Sequence, residues 1–505
     1  MEYLIGIDIG TSGTMVLLLA ADGRIVDTGS QAYEFEMPQN GWTEQDPALW
    51  WDAVSSIIPE LLTKNQIEAD SVKGVGIAGQ MHSLVMLDED NQVLRKAILW
   101  NDQRTAKQVD EINQIVGAER HIELTSNPPL TGFTSPKILW VRENEPEIYA
   151  KCKHILLPKD YIRFKLTGEY VSDVSDASGM GLLNVKERTW SQEILEDLEI
   201  DPALLPRLVE SVDISGYVTE EAAKITGLAP GTPVVGGAGD NAAAAIGVGV
   251  IKDKTGFTTI GTSGVVFVHS SKPSTDEKGR VHTFCSAVPN EWHLMGVTLS
   301  AGSSLQWFRN RFCQEEQMIA DERGVDVYQV MDEMAKEVRP GSDNLIFLPY
   351  LNGERTPHLD PNARGVFFGL SPIHGKPQLI RSILEGVSFS LNDCLSILRD
   401  LNVDAETMML TGGGAASPLW REIIANIFDC TMNTCESNQG PSLGGAILAG
   451  VGSGVFKDLD EGCSKVVKIK SSFEPENQEH YSKYYQLYKD LYPALEDQYK
   501  KLSEV

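Results

Sequence analysis

A carboxylate preceded by a glycine run and followed by an alanine-rich stretch has chemical options that an ordinary surface aspartate lacks. Asp240 in GGAGDNAAAA (236–245) has that setting. The segment TPVVGGAGDNAAAAIG (232–247) predicts a strand, a glycine turn and a helix beginning near Asn241. Asp240 at the junction could be an N-cap, accepting from the free N–H groups of the first turn. It could equally be a general base on the floor of a cleft, taking the proton of an attacking hydroxyl. GAGDNA also matches the GxGxxA dinucleotide fingerprint, but a carboxylate there opposes the pyrophosphate that such a turn attracts. GVGIAG (74–79) matches the related GxGxxG pattern and then runs into strand-like Gln80-Met81-His82 instead of a helix.

Two GTSG tips carry the phosphate chemistry. IDIGTSGTMVL (7–17) and TTIGTSGVVFV (258–268) both read as strand, tip and strand. Successive N–H groups of a glycine turn, with the hydroxyls of Thr11, Ser12 and Thr262 and the backbone of Gly261, make a concave anion site. The copies differ in one place: the first has Asp8 where the second has Thr259. A carboxylate beside one tip only suits a Mg²⁺ ion bound through waters; the alternative is a turn aspartate without a ligand.

A third group of residues suits a polyhydroxylated ligand. GQMHSLV (79–85) puts His82 between Gln80 and Ser83 at the end of an apolar strand, and buried polar groups need partners. WNDQR (100–104) adds an indole, an amide, a carboxylate and a guanidinium, the equipment of a sugar pocket or of a surface turn. In these segments the only fixed cation is Arg104, with His82 as a second if protonated, against Asp102 and Asp240. An acid sugar needs a cation for its carboxylate, so the balance favours a neutral one.

The elements that position these residues can be read around them. Strands are predicted over 3–9, 15–20, 24–28, 72–79, 82–88 and 407–411. Helices are predicted from Pro47 to about Thr63 with Asp46 as N-cap, and around 104–116, 136–150, 301–313, 326–337, 378–399, 417–428 and 442–452. The charged, tyrosine-rich tail 474–505 reads as an amphipathic helix. TGGGAASPLW (411–420) places a triple glycine between a strand and a helix, which lets backbone approach a flat ring such as adenine or simply packs tightly. The repeated hairpins imply a duplication, hence an α/β chain of two related domains, 1–247 and 248–505, around a shared cleft.

The 505 residues exceed one core. A net charge of −28 repels nucleic acid and anionic membranes, so any phosphate must be held by local donors and a metal. The seven cysteines form no CxxC pair and imply reduced thiols in the cytoplasm. No GxxxxGK[ST] occurs, and the N-terminus does not read as a signal peptide.

Together these segments resemble the FGGY family of carbohydrate kinases over nearly the whole chain. GFTSPKILWVREN (132–144) and GVFFGLSPIHGKPQLIRSILEG (365–386) are similar to the family's two signatures. The resemblance implies two ribonuclease-H-like domains of the actin and hexokinase superfamily with ATP in the cleft. It implies Asp8 as the magnesium-linked aspartate and Asp240 as the base. Thr262, Gly302, Gln306, Gly413 and Ser417 fall where the family contacts the nucleotide. Within the family the chain is most similar to the xylulokinases, which implies D-xylulose bound by Met81, His82, Asp240 and Asn241, with Trp100, Asn101 and Asp102 as further candidates. Ser83 stands where many xylulokinases have glycine, and Met-His-Ser also occurs in the family's gluconate kinases. NGERTP (352–357) resembles the family too, without a role read from its residues. The expected partners are a small sugar and ATP, with neither nucleic acid nor membrane and with a homodimer kept open. Two rivals from other classes are an actin-like ATPase or sugar-sensing regulator, and a dinucleotide-dependent dehydrogenase.

Overall fold

The computed structural model describes all of residues 1–505, and two seven-stranded sheets organise it. In the first, the apolar run Tyr3–Ile9 is central, antiparallel to Gly13–Ala20 and parallel to Val72–Gly79. A strand covered on both faces needs an unbroken apolar run, which this one has apart from Asp8. Ile25–Ala32 extends the hairpin side; Pro233–Val235 and Ile214–Tyr217 extend the other.

The second sheet repeats the plan. Lys254–Ile260 is antiparallel to Gly264–Ser270 and parallel to Ala405–Thr411. Trp292–Thr298 lies beyond the hairpin, and Thr431–Cys435 and Ile469–Phe473 lie beyond the parallel strand. Direction agrees over six strands of each sheet and order over the central four, while the two outer strands are exchanged in chain order, so the duplication extends past the two GTSG tips. The tips themselves differ: Ile9 pairs with Thr14 but Ile260 pairs with Gly264, which makes the first turn one residue longer.

One core runs across the expected 247/248 division. Between the strands Thr431–Cys435 and Ile469–Phe473 of the second sheet, helices Gly440–Gly452 and Leu459–Val466 return to the first sheet, where Leu443, Ile447, Phe456 and Val466 share a core with Leu4, Leu17 and Leu19. The glycines of GVGIAG have their explanation here. A Cβ on Gly76 would lie 2.0 Å from the Gly445 carbonyl oxygen, and one on Gly6 would lie 1.8 Å from that of Ser442. They admit a helix, not a dinucleotide. The chain therefore crosses between the domains again after 435 as well as at 246–256.

Between Val72–Gly79 and Pro233–Val235 the first domain carries a mainly helical insertion with its own core, including Leu84, Ile98, Ile138 and Leu157. The stretch 136–150 is two helices, Thr134–Asn144 and Pro146–Lys151, because the residue before a proline disfavours helix. The strand expected at 82–88 shrinks to Val85–Leu87 because His82 takes φ +69°. The first long helix is Ala48–Lys64, one residue later than expected, with Asp46 Oδ1 accepting from the Ala48 N–H at 2.9 Å. The tail forms Gln478–Ser503, burying Tyr481, Tyr488, Tyr492 and Tyr499 on one face. All seven cysteines are unpaired, and no helix is long and apolar enough to cross a membrane.

Candidate active site

Three strands of the first sheet end at one place. Asp8 pairs with Ala78, and Gly239 pairs with Gly79, so the ends of Tyr3–Ile9, Val72–Gly79 and Ala238–Gly239 converge. Ligands bind at the carboxyl ends of such strands, where the turns leave polar groups without neighbours. Asp240 is the first residue of the helix Asp240–Gly247, and no side chain caps that helix. Its Oδ1 accepts from the Asn241 N–H at 2.7 Å and from Asn241 Nδ2 at 3.1 Å. Asp240 is therefore not an N-cap, and its other oxygen is free for chemistry. Burial pushes its pKa up to about 6. Burial, and then the charge of Asp240, push Asp8 up to about 7.

The turn under Asp240 is held from behind. Ser175 Oγ accepts from the Gly239 N–H at 3.1 Å and donates to Asp173 Oδ2 at 2.5 Å, while Arg163 Nη1 donates to the Gly236 carbonyl. Arg163 and Asp173 belong to a fully buried ion cluster with Lys159, Asp160 and Asp176. Burial pushes Asp176 well up. Two cations sit among three acids, and the neighbouring carboxylates add to burial in disfavouring the charged form of Asp176.

On the sugar side, Met81 is buried against Phe133, Phe284 and Met295. His82 is half-buried, stacked on Phe133 at 4.7 Å, in a backbone conformation rare for a side chain of its kind. Thr134 Oγ1 and Lys137 Nζ both donate to the His82 carbonyl at 3.0 Å, which holds that turn. Nδ1 lies 2.7 Å from the Gly179 carbonyl. A carbonyl only accepts, so Nδ1 carries the hydrogen and Nε2 presents a lone pair. Burial drives the pKa down to about 3, so His82 is neutral and not the cation considered above. Asn241 is half-buried beside Asp240.

The WNDQR segment divides. Trp100 is 43% exposed and donates from Nε1 to Thr11 Oγ1 at 2.9 Å. Asn101 Oδ1 accepts from Thr43 Oγ1 at 2.8 Å. Asp102 has to be withdrawn as a sugar contact. It is sealed from solvent, with Oδ2 accepting from the Thr43 N–H at 2.6 Å and both oxygens engaged by Arg104. Arg104 is withdrawn with it: its side chain is 0% exposed, bonded to Glu44 and 3.9 Å from the Trp42 ring centre.

Across the cleft, Gly261, Thr262, Gly302, Gln306, Gly413 and Ser417 line one cavity of about 800 Å³. The Gly302 N–H donates to the Gly261 carbonyl at 2.7 Å, and Ser417 Oγ caps the helix Pro418–Phe428 by accepting from the Trp420 N–H. A second cavity of about 380 Å³ holds Asp240, Asn241, Thr259 and Gly412 and shares Ala416 with the first. From the first hairpin, Ser12 is exposed, while Thr11 Oγ1 donates to Gln80 Oε1 at 3.1 Å. Thr11 therefore ties the tip to the sugar side.

Comparison with known proteins agrees with this geometry. Residues 3–247 match the FGGY family of carbohydrate kinases, N-terminal domain, and residues 256–453 match its C-terminal domain. The chain belongs to the FGGY family of carbohydrate kinases. It is 40% identical to a xylulose kinase of Lactococcus lactis over 97% of both chains. It is 33% identical to a gluconokinase of Bacillus licheniformis over 99% of this chain and 98% of that one. The crystal structure of ligand-bound xylulose kinase from Lactobacillus acidophilus superposes with a TM-score of 0.91 at 30% identity, covering 99% of this chain and 100% of that one. The fold is that of the FGGY kinases, two ribonuclease-H-like domains of the actin and hexokinase class, and the chain is a sugar kinase.

An FGGY kinase needs ATP and a metal ion. No three His, Cys, Asp or Glu residues are arranged to hold a metal directly. Asp8 is a carboxylate without a protein partner, beside Asp240, and fits an ion held through its waters and the phosphates. Several residues around the candidate site have no signal in the local pattern: Phe133, Thr134, Lys137 and Gly179 around His82, and Ser175 behind the Asp240 turn. The first three lie inside the segment that resembles a family signature, which was the available clue.

Proposed function

We propose that the chain phosphorylates D-xylulose at O5 with ATP and Mg²⁺, giving xylulose 5-phosphate, with Asp240 as general base. One observation carries this reading. Asp240 lines a cavity that shares Ala416 with the cavity read as the nucleotide site, and it lies one strand end from Met81 and His82. Asp240 takes the O5 proton as O5 bonds the γ-phosphorus and the bond to the β–γ bridging oxygen breaks, releasing ADP. Asp8 would hold a Mg²⁺ ion through its waters, and the bound ion would neutralise charge on the phosphates. His82 Nε2, a lone pair in a dry wall, accepts from a sugar hydroxyl. The nucleotide residues align the donor, and water is excluded by the approach of the two domains.

The xylulose reading is supported by the 40% identity to a xylulose kinase against 33% to a gluconokinase. A second reading, gluconate, is favoured by Ser83 after Met81-His82. A coupled ADP-release assay over D-xylulose, D-ribulose, xylitol and D-gluconate decides between them. D-xylulose is expected to give the highest kcat/KM, and a higher value for gluconate rejects the assignment.

A further inference from the structure

The NGERTP segment brings a cation to the sugar side from the second domain. Glu354 and Thr356 are buried and anchor it on either side of Arg355. Glu354 Oε1 accepts from the Leu299 N–H at 2.9 Å and from the Arg355 N–H at 2.7 Å. The Thr356 N–H donates to the Val297 carbonyl at 3.2 Å, and Thr356 Oγ1 donates to the Arg280 carbonyl at 2.9 Å. Val297 packs on the cluster of Met81, Phe133, Phe284 and Met295 that forms the wall beside His82. Arg355 itself is half-buried. Its only hydrogen bond is the backbone one to Glu354, and its guanidinium pairs with no acid. A desolvated cation left without a partner is costly unless a ligand completes it.

The groups around it are acceptors. His282, from the strand His282–Cys285, stacks on Phe284 at 5.4 Å and lies 5.8 Å from Phe133, ring centre to ring centre. Its Nδ1 lies 3.0 Å from Asn127 Oδ1, and the Asn127 amide is oriented by donating to the carbonyls of Thr125 and Thr283. Nδ1 of His282 is therefore the donor and Nε2 the acceptor, as in His82. Neither Nε2 has a protein partner. The charge of Arg355 is felt at both rings and helps hold both neutral. Asp240 starts the helix Asp240–Gly247 of the first domain, and no hydrogen bond joins it to Arg355.

Resting on the ketose reading, we propose that Arg355 and His282 bind the non-reacting end of the sugar, with the Arg355 guanidinium donating to the ketone oxygen. Two imidazole lone pairs can accept from hydroxyls, but a ketone oxygen has no hydrogen and needs a donor. Arg355 is the donor in this wall. The sugar is then gripped from both domains, and a polyol lacking the ketone gives up its best hydrogen bond.

The test compares Arg355→Gln and Arg355→Lys with the wild type, reading KM for D-xylulose, KM for ATP and the Ki of xylitol as a competitive inhibitor. Arg355→Gln is expected to raise the D-xylulose KM about 10- to 100-fold, the range for a lost charged hydrogen bond. The xylitol Ki should change less than about threefold, and ATP KM should hold. Arg355→Lys, which keeps a charged donor, should recover part of the loss. Equal weakening of xylulose and xylitol, or a rise confined to ATP KM, overturns the proposal. Unchanged ATP KM guards against a folding defect. If the wild type prefers gluconate, the ketose reading and the ketone contact fall together. The Arg355 site then stands only if Arg355→Gln raises the gluconate KM.

Discussion

Lys137 Nζ donates to the main-chain carbonyl of His82 at 3.0 Å, from a helix that is neither the strand nor the turn carrying the histidine. With the Nδ1 bond to the Gly179 carbonyl, this bond holds His82 in its left-handed conformation and leaves Nε2 without a protein partner, as the proposed sugar contact requires. Lys137→Met removes it and leaves Thr134 Oγ1 as the side-chain donor to that carbonyl, the loss of one charged hydrogen bond of about 1.5–3 kcal/mol. The expected result is a sugar KM raised about 5- to 100-fold with ATP KM unchanged. Parallel rises in both constants would deny Lys137 this positioning role.

Asp240→Asn keeps the shape of the side chain and removes its ability to take a proton. Turnover should fall about 10²–10⁴-fold, with nucleotide affinity nearly unchanged by calorimetry. Near-normal turnover would remove Asp240 from the chemistry.

The same carboxylate sets an acid limb. Its pKa lies at about 6 because burial disfavours the charged form, and only that form can accept the proton. The rate should therefore be full above about pH 7 and drop roughly tenfold per unit well below 6. A turnover profile that is level down to pH 5 contradicts this.

Asp8 and Thr259 hold equivalent places in the two hairpins but not equivalent neighbours. Thr259 Oγ1 lies 2.7 Å from Thr411 Oγ1, while Asp8 faces Ala78 and has no partner. Asp8→Ala should raise the magnesium concentration needed for half-maximal rate and cut turnover more than about tenfold. Thr259→Ala, which loses one neutral hydrogen bond, should cost less than about threefold. Identical magnesium titrations for the two variants would disconnect Asp8 from the metal.

Closure should need both ligands. The proposed base Asp240, with Met81 and His82, lies on the first domain and the proposed nucleotide cavity on the second, and the links between them are the crossing segments at 246–256 and after 435. Small-angle scattering is expected to show a smaller radius of gyration with sugar and a non-hydrolysable ATP analogue together than with either alone. An unchanged radius would exclude a closing motion of this size.

The sequence by itself determined the parts of this protein that depend on local order. A long apolar run can only be a covered strand, a glycine tip after it can only turn, and a repeat of both implies two sheets of one plan. Asp8, Asp240, Met81 and His82, on which the proposed site is built, could be singled out because each sits at or near the end of such a run. Tertiary structure alone decided which polar groups are free. Asp102 and Arg104 read as sugar contacts, but Glu44, Thr43 and Trp42, more than fifty residues away, close around them. Arg355 read as nothing, yet its segment docks on Val297 and leaves its charge unpaired beside two imidazoles. The helix Gly440–Gly452 belongs by sequence to the second half and by packing to the first. Hydrogen bonding and burial are settled by partners that arrive from distant points of the chain, and local patterns carry no record of them.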